Sequence, residues 1–183
     1  LINGFLADHS NIKRFMSAGL LISALANLVM GFTNAYLFFI ICWGINGWVQ
    51  SIGAACCVVG LSRWYKSSER GSFYGFWSTS HNIGEALTYI LTAVVASYCG
   101  WRWGFLTAAI VGFIGVAILY FFFHDSPESI GLPPVNEQVA QEKKSVWGEQ
   151  LGVIKNPYVW LLAFSSAFMY ISRYAVTSWG PYY

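Results

Sequence analysis

Three side chains stand out by their chemistry in this 183-residue chain: His81, Glu85 and Arg173. Each lies inside an apolar run, where ionisable groups are rare and face a cavity or a partner. The guanidinium of Arg173 is permanently charged and offers five donors in a planar fork, a shape that suits phosphate or carboxylate. It reads either as an anion receptor or as an ion-pair partner of Glu85. His81 sits in "WSTSHNIGEALT" with Ser78, Asn82, Glu85 and Thr88. These positions follow i, i+3, i+4 and i+7 spacing and share one helical face. In lipid such a face turns toward protein or water. It either lines a pathway or forms a buried structural network. Glu85 has three readings: a proton-coupling group, a partner of His81, or a neutral hydrogen-bonding acid.

The elements that carry these groups follow from composition. The chain is 56% hydrophobic, 19% aromatic and 10% charged, against about 25% charged residues in soluble domains. Its solvent is therefore mostly a bilayer, and the expected fold is an all-α, multi-pass helical bundle. A span needs about 20 apolar residues. Full spans are expected at Phe15–Phe32, Tyr36–Leu61, about Phe73–Tyr98 and Trp103–Phe123, the third being the most polar. Another starts near Tyr158 and runs to Tyr183, and "LINGFLA" reads as the tail of one more. At 1.5 Å per residue His81 lies about 16 Å beyond Arg70, and Arg173 about 22 Å beyond Tyr158. Both depths fall in the middle third of a ~30 Å hydrocarbon core.

Charge sets the orientation. Lys13, Arg14, Arg63, Lys66, Arg70, Lys143, Lys144 and Lys155 fall in loops on one side, and only Arg102 falls on the other. The positive-inside rule places the charged loops in the cytoplasm of a cell whose inner (plasma) membrane holds the protein. Residues 124–156 form the one soluble stretch, a cytoplasmic linker. Within it Val146, Trp147, Leu151 and Ile154 of "SVWGEQLGVIK" predict a short amphipathic helix on the membrane face. The linker divides a first group of spans, 1–123, from a second that begins at 157–183. The abrupt "LING" and "GPYY" ends lead to the expectation of a piece of a longer protein, unstable by itself because its polar faces lack partners.

Other function classes find little footing. A net charge of +2 with no dense basic run gives no reason to expect nucleic acid. Cys42, Cys56, Cys57 and Cys99 lack zinc-site spacing and read as small buried hydrophobes. Neither a Walker loop nor a nucleophile with its base appears, so the expectation is a protein that is not an enzyme and needs no metal or cofactor. The GxxxG pairs Gly71/Gly75 and Gly100/Gly104 read as positions of close helix approach.

Four motifs then carry a resemblance. "GFLADHSNIKR" resembles the G-x-L-x-D-R/H loop of major facilitator transporters, in which a carboxylate and flanking cations latch neighbouring helices. Asp8, Lys13 and Arg14 match that latch, and His9 stands where many members carry arginine. "YKSSERGSFYGFWSTSHNIG", "DSPESIGLPP" and "YISRYAVTSWGPYY" resemble, in order along the chain, stretches of the organophosphate:phosphate antiporters. The resemblance implies a twelve-helix, two-domain carrier without cofactors, of which this chain supplies the end of the second helix through most of the seventh. It implies a monomer that exchanges a hexose phosphate or glycerol 3-phosphate for inorganic phosphate by alternating access. Arg173 and His81 would bind the substrate phosphate, with Tyr170 and Tyr174 beside them. Glu85 departs from the pattern, since many relatives carry glycine or another small residue there. Two alternatives remain open: a hexose-phosphate sensor of the same fold that signals to a partner kinase, and a proton-coupled organic-anion carrier of the same superfamily.

Overall fold

The computed structural model describes residues 2–133, 135 and 155–179 of the chain. They fall in two compact units, Leu1–Asn136 and Glu137–Tyr183. The first holds α1 (Ile2–His9), α2 (Ile12–Phe32), α3 (Tyr36–Trp64), α4 (Arg70–Cys99), α5 (Trp101–Phe122) and a 3-10 turn at Pro127–Ile130. The second holds α6 (Pro157–Trp179). The amphipathic helix expected around Val146 to Ile154 lies outside the described residues.

Helix ends follow local chemistry. The side chain of Asn11 accepts from the Arg14 amide at 3.0 Å and so caps the start of α2. At the end of α3 the Arg70 guanidinium donates to the carbonyls of Tyr65 (3.1 Å) and Ser62 (2.9 Å), satisfying acceptors that the helix leaves over. A single residue, Gly100 at φ +89°, both ends α4 and begins α5. Only glycine adopts that backbone without steric cost.

Among the described residues, four helices are long and apolar enough to cross a membrane: α2, α3, α5 and the Pro157–Val176 part of α6. The run at 73–98, expected to span in full, is different. As α4 it has 30 residues, about 45 Å of helix. It is long enough, but Ser78, Thr79, Ser80, His81, Asn82, Glu85 and Thr88 make it less apolar than the rest. The bundle's outer surface otherwise shows Phe32, Tyr36, Phe76, Tyr98, Phe121 and Phe122. In water that surface would be costly; in lipid it is not.

Inside the first unit α2 lies against both α3 and α5. Ile12, Met30 and Cys56 are its largest fully buried side chains, and Ala7, Val49 and Ile52 join Ile12 and Cys56 in one cluster. Close approach is made by glycines, as membrane helices without a hydrophobic drive between them require. A Cβ placed on Gly31 would come within 2.7 Å of Leu106, and one on Gly112 within 2.9 Å of Ala24 Cβ. The pair Gly71/Gly75, expected to pack, has nothing within 4 Å of an added Cβ. Two loops at one end of the unit are also tied: Arg102, opening α5, donates to Asn34 in the α2–α3 turn.

Replacing Gly112 by Val should therefore destabilise the first unit by about 1–3 kcal/mol, the usual cost of overpacking. Gly75→Ala should leave it unchanged. Melting temperatures of the two variants in detergent check the contrast; equal melting would mean that α2 and α5 do not meet at Gly112.

Candidate functional site

The polar face foreseen in the first unit is continuous along α4. Ser78, His81, Asn82 and Thr88 are exposed and Glu85 is half-buried. Part of this polarity is spent on the helix itself. The Thr88 hydroxyl donates to the Gly84 carbonyl at 2.7 Å, and the Asn82 amide to the Ser78 carbonyl at 3.3 Å. No residue of α4 is fully buried, so the first unit leaves this face uncovered.

In the second unit, Arg173 is the only charged residue of α6. Tyr170 lies one turn before it, and Tyr174, four residues after Tyr170, shares that tyrosine's side of the helix. Their rings stack with centroids 6.2 Å apart and an interplanar angle of 27°. Both tyrosines are exposed, whereas Arg173 is half-buried. This stretch of α6 thus carries a permanent cation and two phenols, each able to donate or accept a hydrogen bond. That is a fitting receptor for a polyoxygen anion, because a guanidinium pairs with two oxygens at once. His81 and Glu85 belong to one unit, and Tyr170, Arg173 and Tyr174 to the other.

The residues expected to latch the short loop are spread over several contacts. Asp8 is exposed and is held through its backbone carbonyl, which accepts from Arg63 at 3.2 Å. The Lys13 ammonium lies 5.4 Å from the centre of the Tyr120 ring, a cation–π contact between α2 and α5. The backbone amide of Arg14 closes the Asn11 cap. Among the described residues the one ion pair is instead Arg63–Asp125, at 2.9 Å. Neither residue was singled out from the sequence. The available signal was position, since Arg63 closes an apolar run and Asp125 follows another.

Uncharged polar residues inside the bundle were also missed. Asn3 donates to the Trp48 carbonyl at 3.1 Å and to Ser51, joining α1 to α3. Buried Ser23 donates to buried Asn46 at 2.5 Å, joining α2 to α3. Such bonds hold membrane helices together because the groups have no water to turn to. Asparagines in apolar runs were the signal.

Comparison with known proteins bears on what the two polar faces serve. Residues 1–183 match the Major Facilitator Superfamily over the whole chain. The chain belongs to the major facilitator superfamily. It is 36% identical to a probable hexose phosphate transport protein of Chlamydia muridarum, over 100% of this chain and 44% of the relative. It is 34% identical to the membrane sensor protein UhpC of Salmonella typhimurium, over 100% of this chain and 44% of the relative. With the hexose-6-phosphate:phosphate antiporter of the same organism the identity is 32%, over 98% of this chain and 43% of the relative. The superfamily chain therefore spans less than half the length of these curated relatives. No solved structure matches it.

If the face of α6 that carries Arg173 meets water, cysteine at 170 or 174 should react with a membrane-impermeant thiol reagent. Cysteine at 168, on the opposite side, should not. Labelling the full-length, otherwise cysteine-free protein in vesicles checks this, and equal labelling at 168 and 174 would count against a wet face.

Proposed function

We propose that the protein is a secondary transporter that exchanges an organic phosphate, a hexose phosphate or glycerol 3-phosphate, for inorganic phosphate. The observation that carries this reading is Arg173: the one charged residue of an apolar 23-residue helix that also carries two stacked tyrosines. Its guanidinium offers the planar fork of donors that two phosphate oxygens accept from. The names of the transporters similar to this chain supply the class of anion. Phosphate is a dianion near neutral pH, so one arginine neutralises only half of it; the rest of its charge calls for a second cation elsewhere in the full-length protein.

On this reading residues 1–123 belong to an N-terminal six-helix half, 124–156 connect the halves, and 157–183 begin the C-terminal half. His81 and Arg173 each take part in binding the substrate phosphate. The halves alternate between inward-open and outward-open forms around it. Binding energy from the phosphate lowers the barrier between them, so an empty carrier crosses slowly and obligatory exchange results. His81 supplies a hydrogen-bonding group to the phosphate, and Asp8, Lys13 and Arg14 latch the cytoplasmic surface. The loops rich in lysine and arginine face the cytoplasm of the cell.

The similarity to a membrane sensor, at 34% identity, favours a second reading in which the same site reports hexose phosphate to a signalling partner. Exchange separates the two. The full-length protein in liposomes should exchange phosphate for phosphate, and glucose 6-phosphate or glycerol 3-phosphate should compete. Binding without exchange would favour the sensor.

Substituting Arg173→Lys keeps the charge and removes the fork. Loss of a charge-assisted bond of about 1.5–3 kcal/mol predicts exchange lowered roughly ten- to a hundredfold, with normal insertion. Unchanged exchange would remove Arg173 from the phosphate site. A smaller loss of exchange is expected for His81→Asn. Exchange identical to the parent's would reduce His81 to packing.

A further inference from the structure

The Arg63–Asp125 pair stands at the junction of three helix ends and the start of the segment that leaves the first unit. Arg63 lies at the end of α3, and Asp125 lies three residues beyond the end of α5. One carboxylate oxygen of Asp125 accepts from Arg63 at 2.9 Å. The other accepts from the backbone amide of Ile12, at the start of α2, at 2.5 Å. Arg63 also donates to the carbonyls of Asp8 (3.2 Å) and Ser10 (3.5 Å), between α1 and α2. Beside it the Trp64 indole donates to the His124 carbonyl at 3.3 Å. Beyond Asp125 the chain folds back on itself: Pro127 is buried, and the amides of Gly131 and Leu132 return to the carbonyls of Glu128 and Pro127. Gly131 takes the left-handed conformation, φ +81°, that this return needs.

A contact that opens once per turnover should be a simple, wet ion pair, cheap to break. This one is neither simple nor fully wet. Its side chains are 26% and 19% exposed, and Ile12 is fully buried. Opening it would strip a buried amide, two carbonyls and a carboxylate of their partners together.

We propose that Arg63 and Asp125 form a permanent clamp that makes residues 124–132 part of the first unit in every state of the protein, rather than a gate that opens and closes. The reference to working states rests on the transport reading; the clamp itself does not.

The test places spin labels on cysteines at Lys66 and Ser129, both exposed and both in the first unit, in the otherwise cysteine-free, full-length protein in lipid nanodiscs. One narrow distance is expected, unaltered by glucose 6-phosphate, glycerol 3-phosphate or inorganic phosphate. In Arg63→Gln the distribution should broaden, and in Arg63→Lys, which keeps a charge, it should narrow again. A second distance on adding any of these ligands would overturn the clamp, as would an Arg63→Gln distribution identical to the parent's. Should Arg63→Gln fail to fold, the ligand series on the parent still decides. The same labelled protein in liposomes reports phosphate exchange separately, so absent exchange would sink the transport reading and leave the distances to judge the clamp.

Discussion

One carboxylate, that of Asp125, does what no apolar contact in this bundle can: it fixes direction as well as proximity. Bonded at once to a guanidinium and to the first turn of α2, it sets where α2, α3 and the end of α5 stand on the same face. Helices in lipid gain nothing from merely hiding apolar surface, because the surrounding solvent is as apolar as they are. Their mutual arrangement depends on the few places where polar groups have no alternative partner, and on glycines that let backbones touch. Asp125 is the first kind of place, and Gly31 and Gly112 are the second. On the opposite face Arg102 and Asn34 repeat the first device with a weaker, neutral acceptor.

The same scarcity of partners organises the candidate site. Asn3, Ser23 and Asn46 find protein partners inside the unit, and their polarity is used up in holding helices. The α4 face is different, since no residue of that helix is fully buried. Inward polar groups of α1–α3 are thus bonded between helices, whereas α4 carries an exposed polar stripe and α6 a single charge. On the proposed reading that guanidinium and the imidazole of the stripe serve a doubly charged oxyanion, which needs both charge and directed donors.

Much of this was legible in the amino-acid order. Apolar runs of about 20 residues have one solution in lipid, so each expected span became a helix with ends shifted by only a few positions. Arg173 and the 78–88 stripe stood out because charged and polar groups are rare in such runs, whether they serve a pathway or a structural network. What stayed hidden depends on contact between distant positions. Arg63 and Asp125 lie 62 positions apart, and each alone looks like an ordinary loop charge. Glycine spacing misled for a related reason: Gly71 and Gly75 have the pattern, yet Gly112 has the neighbour, Ala24 of another helix. A pattern on one helix says that it can be approached, not that anything approaches.

The one-residue joint at Gly100 has a consequence for biosynthesis. A helix as polar as α4 partitions weakly from the translocation machinery into lipid, while α5, which follows it, is the most apolar of the candidate spans. With a single glycine between them, the two cannot be released separately; they leave as a hairpin whose second arm supplies the driving force for the first. The joint thereby lets a helix keep a polar surface without forfeiting its own delivery to the membrane.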